Sequence, residues 1–238
     1  MGRIRPRGLW KGSERGWEFP LAAAESLLDR FSARFRVEDE LVRWLDWHRH
    51  PLPPLPHHRE LVARADLDQP LADGRTPLPH QRSGARWLLA RRGALLADEM
   101  GLGKTLTALL AARVLLRAVP LRLMVIAPVG LHSHWRRELE SLDLQCALHS
   151  WARLPADLPD AGTLLVVDEA HFAQSLQAQR TQALLRLARH PRLRAVWMLT
   201  GTPIRNGRPI QFFPLLAAMD HPLARDQRSF EEIFCQGH

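Results

Sequence analysis

Lysine is nearly absent from this sequence: Lys11 and Lys104 are the only two among 33 lysine and arginine residues. Cysteine is as scarce. Cys146 and Cys235 stand alone, with no CxxC spacing, which excludes a disulfide framework and a cysteine zinc site. No apolar run approaches the ~20 residues that span a bilayer. The N-terminal "MGRIRPRGLWKG" has no apolar segment of secretory type behind its charges, so a cytoplasmic protein is expected, nucleoid-associated if bacterial. No internal repeat is evident, which argues against a solenoid or propeller.

What is present suffices for a folded enzyme. The chain has 238 residues, 46% of them hydrophobic, enough to fill one sizeable α/β domain with a smaller appendage. The formal charge of +8 fits a polyanion partner, but arginine so dominates the cations that compositional bias explains it equally well. Against that bias, the lysine at 104 is informative. A compact ammonium on a thin stem fits among phosphate oxygens where a planar guanidinium would not.

Residues 1–70 read as a small, mainly helical region. Leu21, Leu27, Leu28 and Phe31 fall at helical spacing, as do Val37, Leu41, Trp44 and Leu45, and the proline-rich "HRHPLPPLPHH" (about 48–58) reads as an extended linker. Residues 71–238 alternate helices with short apolar strands. The expected strands are "ALLA", "RLMVIA", a short one near "CALHS", "TLLVV" (Thr163 to Val167) and "AVWMLT" (Ala195 to Thr200). The expected helices are "PHQRSGARWLLARR", "GKTLTALLAARVLLRA", "LHSHWRRELESL" and one near Gln177 to Arg189. Apolar strands separated by helices imply an α/β fold with a parallel sheet covered on both faces.

In such sheets ligands bind beyond the carboxyl ends of the strands, and every strand here ends in polar or glycine-rich residues. In "DEMGLGKT", Gly101 and Gly103 allow the positive φ and close approach that let backbone N–H groups surround phosphate. Lys104 can then reach the outer phosphates and Thr105 can hold Mg²⁺. A glycine turn before a buried helix is the plain alternative, and Asp98 stands where the strict phosphate-loop pattern has its first glycine. In "LLVVDEAH", Asp168 can hold Mg²⁺ through water and Glu169 can polarise an attacking water. An acid-enriched helix start is the plain alternative there. Two such patterns in the right order within one parallel-sheet reading are hard to obtain by accident.

The segments "LPHQRSGARWLL", "LLADEMGLGKT", "VIAPVGLHSHW", "LLVVDEAH" and "MLTGTPIRN" resemble the first five motifs of the Swi/Snf-type ATPases of helicase superfamily two, in register from Leu78 to Asn206. "GTPIRNGRPIQFFPLLAAMDHPLAR" and "FEEIFCQGH" resemble its annealing-helicase branch (HepA-related, HARP-like). "GLWKGSERGWEFPL" is similar to an upstream element of that branch, although Trp10, Trp17 and Phe19 also suit an ordinary core. The resemblance implies a RecA-like first lobe with ATP and Mg²⁺ as cofactors. Gln81 would read adenine, and the loop Gly101, Leu102, Gly103 with Lys104 would bind phosphates. Thr105 and Asp168 would hold Mg²⁺, and Glu169 would be the catalytic base beside Asp168 and Lys104. His171 would couple the nucleotide to Thr200, Gly201 and Thr202. Pro128, His132, Ser150 and Trp151 would lie along double-stranded or forked DNA. Gln174 and Ser175 replace a Lys-Asn pair common in the family.

The sequence shows no second-lobe block after the first five motifs. The expectation is a truncated or split translocase that hydrolyses ATP weakly alone and works with a separately encoded second lobe. The alternative is an inactive DNA- or partner-binding remnant. An unrelated P-loop kinase or GTPase would leave "LTGTPIRN" unexplained. The histidine pairs 48/50, 57/58 and 132/134 lack a fourth ligand of metal-site spacing. Arg136 and Arg137 fit either a phosphate contact or a solvated helix face.

Overall fold

The structure is a computed structural model that describes residues 9–11, 16–18, 58–63, 66–159, 161–204 and 207–235. The chain divides into two compact units, Met1–Leu52 and Pro53–His238. In the first unit, strands β1 (Leu9–Lys11) and β2 (Gly16–Glu18) pair antiparallel, with Trp10 opposite Trp17. The helices expected over 21–31 and 37–45, Phe19 and most of the proline-rich linker lie outside the described residues.

The second unit is built on five parallel strands. In chain order its elements begin with α1 (His58–Ala63), α2 (Pro79–Leu89), β3 (Gly93–Leu96), α3 (Lys104–Ala118), β4 (Arg122–Ala127) and α4 (His132–Ser141). They continue with β5 (Ala147–Ser150), β6 (Thr163–Val167), α5 (Gln179–Ala188), β7 (Leu193–Leu199), α6 (Phe213–Ala218) and α7 (Gln227–Phe234). The strand order is β3-β7-β6-β4-β5, every neighbouring pair parallel. The expected α/β fold with helices on both faces is therefore what forms.

The alternation of side chains along the strands explains both layers. Leu123, Val125, Leu164, Val166, Ala195 and Trp197 join one core with α2, α3 and α4. Met124, Ile126, Leu165, Val167, Val196 and Met198 join the other with α5 and α6. With both faces covered, β4 and β6 can be apolar at nearly every position, which is why they read as continuous runs in the sequence. Helix α3 is rich in alanine and leucine, strong helix formers, and stops where Val119 precedes Pro120.

The expected strands over "RLMVIA" and "TLLVV" match to the residue, while the first helix ends at Leu89, short of Arg92. The boundary between units differs more. Leu61 and Leu67, from the stretch assigned by sequence to the small N-terminal region, are buried with Leu71 in the core beside α2 and α3. Just beyond them, the Arg75 guanidinium forks onto both oxygens of the buried Glu138 on α4 (3.0 and 2.9 Å) and reaches Asp73 (2.7 Å). Those carboxylates, Glu138 foremost, push the Arg75 pKa up and pin the approach to α2 against α4.

Candidate functional site

The register of the sheet collects the polar residues at one edge. Leu96 pairs with Leu199, Val167 with Met198, Ile126 with Val167 and Ala127 with Ser150. The segments starting at Ala97, Thr200, Asp168, Pro128 and Trp151 therefore leave the sheet side by side. All the motif residues expected at strand ends lie on this edge.

After β3 the chain turns through Gly101 (φ 86°) and Gly103 (φ 73°), left-handed conformations that a side chain disfavours. A Cβ on Gly103 would also collide with the amide of Gln81. Gly103 gives α3 no side-chain cap, so the first N–H groups of this 15-residue helix face the loop with the positive end of its dipole. Lys104 Nζ donates to the carbonyls of Asp98 and Glu99, both at 2.9 Å, so the loop's own backbone occupies the ammonium. Thr105 is buried directly behind it. Gln81 is buried too, with both ends of its amide engaged: Oε1 accepts from Leu78 N (2.9 Å) and Nε2 donates to Leu102 O (3.4 Å). His80, which the sequence did not single out, donates from Nε2 to the same carbonyl at 3.0 Å.

At the end of β6, Asp168 is 6% exposed. Burial raises its pKa, opposed by hydrogen bonds to its charged form from Trp135 and the Glu169 backbone and by the Lys104 charge. Trp135 Nε1 donates to Asp168 Oδ2 at 2.8 Å, Glu169 N donates to Oδ1 at 2.9 Å, and Trp151 Nε1 donates to the Asp168 carbonyl at 2.9 Å. Glu169 holds a left-handed backbone (φ 50°, ψ 49°), a strained state for a non-glycine residue. That turn carries its carboxylate to His171, with Oε2 3.0 Å from Nδ1. The same Nδ1 lies 3.1 Å from Thr200 Oγ1 and 3.3 Å from Thr202 Oγ1, and Thr200 Oγ1 accepts from Thr202 N at 3.1 Å. A carboxylate only accepts, so the Nδ1 proton belongs on the Glu169 side.

The loop after β7 closes the site. A Cβ on Gly201 would lie 2.9 Å from Met100 Cγ and 3.7 Å from Lys104 Nζ, which shows how near this loop comes to the loop after β3. Gln174 Nε2 donates to Pro203 O at 2.8 Å and meets Thr202 O at 3.5 Å, so the residue that replaces the family's lysine ties the loops after β6 and β7 together.

Along β4 and β5, Pro128 and Val129 lead into α4, Val129 is exposed, and His132 Nε2 donates to Ala127 O at 3.2 Å. Ser150 is half-buried at the end of β5. Trp151, expected along DNA, is 8% exposed, packs on Phe172 with ring centroids 5.9 Å apart, and donates its N–H to the Asp168 carbonyl. Trp135 is the residue touching Asp168 that the sequence reading did not single out. It was quoted in a motif, yet nothing in its spacing says that its indole reaches a carboxylate 33 positions on.

The donors at Asp168 and Thr105 are oxygen only, a carboxylate and a hydroxyl. This set suits Mg²⁺, which takes one or two protein oxygens and completes its shell with phosphates and water. Uncapped N–H groups, a lysine, a buried carboxylate and a second carboxylate in contact with histidine can bind a polyphosphate and activate a water.

Comparison with known proteins points the same way. The SNF2-related domain model matches residues 80–149 and 159–236. The chain is 30% identical to the mouse (Mus musculus) DNA annealing helicase and endonuclease ZRANB3 over 68% of its own length and 18% of that protein's. It is 27% identical to the Bos taurus SWI/SNF-related matrix-associated actin-dependent regulator of chromatin subfamily A-like protein 1, over 86% of this chain and 24% of that one. The ATP-dependent helicase YqhH of Bacillus subtilis matches at 27% over 68% of this chain and 32% of its own. Among solved structures, the Sulfolobus solfataricus SWI2/SNF2 ATPase core in complex with dsDNA superposes with a TM-score of 0.56 at 22% identity, covering 70% of this chain and 40% of that one. That likeness concerns the fold. The chain spans between about a fifth and a third of the length of these curated relatives.

Proposed function

This chain belongs to the SNF2-related domain family, and we propose that it is the ATP-binding lobe of a DNA-dependent ATPase that moves along double-stranded DNA, of the kind that remodels forks or anneals strands. One observation carries this reading: Glu169, His171, Thr200 and Thr202 form one connected network beside the open N-terminus of α3.

ATP enters with its phosphates on the N–H groups at Gly101 to Thr105. Lys104 leaves the carbonyls of Asp98 and Glu99 for the β- and γ-phosphates, and Gln81 offers its amide to the adenine edge. Asp168 and Thr105 would hold Mg²⁺, which would neutralise charge on the phosphates. Glu169 orients the attacking water and takes its proton. His171 keeps Glu169 in register with Thr200 and Thr202, so the state of the phosphates reaches the loop after β7. Duplex DNA lies along Pro128, His132 and Ser150, with the exposed Arg136 and Arg137 near its phosphates.

The lobe supplies one wall of the nucleotide site, and an arginine from a second lobe, in the same or another chain, completes it. An arginine finger contributes roughly a thousandfold or more to turnover, so hydrolysis by this lobe without a second is slow. The test is phosphate release with and without forked duplex DNA. Release near background, rising when a second lobe of the family is added, is the expected result. Strong DNA-stimulated hydrolysis by the chain alone would contradict the two-lobe requirement, and absence of ATP binding would favour an inactive DNA- or partner-binding domain.

A further inference from the structure

We propose that Trp135 and Trp151 are positioning residues for Asp168, and that they tie the duplex-facing edge of the lobe to the carboxylate that takes the metal. This rests on the reading of the edge as an ATP·Mg²⁺ and DNA site.

The two indoles reach one residue from opposite sides of the sheet. Trp135 is wholly buried in the core under α3 and α4, and Trp151 belongs to the core on the other face. One donates to the Asp168 carboxylate and the other to its main-chain carbonyl, so side chain and backbone are both fixed. Packing alone does not call for this. The equally buried Trp197 satisfies its N–H on a plain backbone carbonyl, that of Arg91 at 3.1 Å. Burying a carboxylate is costly unless its charge is hydrogen-bonded, and the Trp135 N–H supplies one of those bonds.

Both tryptophans also sit next to residues assigned to DNA. Trp135 follows His132 by three positions on α4, and Trp151 directly follows Ser150. A shift of the α4 start or of the β5 end on a duplex moves the N–H groups that aim Asp168. Binding DNA thus tightens the metal side of the site with no contact of its own there.

The test uses the full chain and a non-hydrolysable ATP analogue, with Mg²⁺ titrated in the presence and absence of duplex DNA. Trp135→Phe keeps an apolar ring and deletes the N–H. It should raise the Mg²⁺ half-saturation about tenfold, as loss of an outer-shell partner does, with metal-free nucleotide affinity unchanged. Duplex DNA should lower the wild-type half-saturation and leave the variant's where it is. In an Asp168→Asn background the phenylalanine should add nothing. Trp151→Phe should produce a smaller, few-fold rise, and it decides by the same criterion if Trp135→Phe fails to unfold cooperatively. Mg²⁺-dependent binding that these variants leave unchanged would refute the positioning role alone. A wild-type chain that binds no nucleotide would refute the reading beneath it.

Discussion

The loops after β3 and after β6 invert the usual rule of polar outside and apolar inside. The first carries Met100 and Leu102, 77% and 41% exposed, while the second carries Asp168 at 6%. The first is held by a lysine bonded to its own carbonyls, and the second by two tryptophans and a histidine–threonine network. The carboxylate loop is therefore fixed by side chains from elsewhere in the fold, whereas the lysine loop is held by its own backbone, and on the proposed reading its bonds would be exchanged for bonds to phosphate. Preorganised groups contribute without reorganising, and replaceable ones give the site its response to the ligand.

The largest test of this contrast is Lys104→Ala. Losing charge-assisted bonds to phosphate should weaken ATP binding about 100-fold or more, while the melting temperature falls by only a few degrees, because the protein itself loses two loop-carbonyl bonds and the Lys104 charge near Asp168. Calorimetric titration and thermal unfolding read the two halves. Next is Glu169→Gln, which should slow phosphate release by about 10²- to 10⁴-fold in a two-lobe assembly and leave nucleotide affinity within a few-fold.

The pH dependence of stability reads the buried carboxylate of Asp168. Burial raises the folded-state pKa of Asp168 above its ordinary 3.8, so its contribution is fully present below that value and lost as pH rises through the folded pKa. Relative to Asp168→Asn, which turns an amide N–H toward one of the donors at Trp135 and Glu169, the wild type should gain in melting temperature as pH falls toward 3.8. The smallest effect belongs to Gln174→Ala, which cuts one tie between the loops after β6 and β7 and should cost about 1 kcal/mol in denaturant unfolding.

The sequence made the scaffold legible because burial on both faces of β4 and β6 leaves an unbroken apolar run that periodicity and length can bound. It also disclosed the edge residues, since glycine and carboxylate patterns are local. Longer-range matters were hidden. Leu61 and Leu67 have no signature that distinguishes joining this core from capping a separate one. Trp151 sits beside Ser150, at the end of β5, in sequence, but its ring turns inward to Phe172 and Asp168. Trp135 falls on the apolar stripe of α4, and only folding brings Asp168 under its N–H. The left-handed turn at Glu169, which aims the carboxylate at His171, is likewise silent in a run of letters.

The central claim is that this edge binds ATP with Mg²⁺ through Lys104. Equilibrium titration of the chain with ATP and Mg²⁺, wild type beside Lys104→Ala, tests it most directly. The account predicts saturable binding that the substitution abolishes. Failure of the wild type to bind, or equal binding by both, would contradict it.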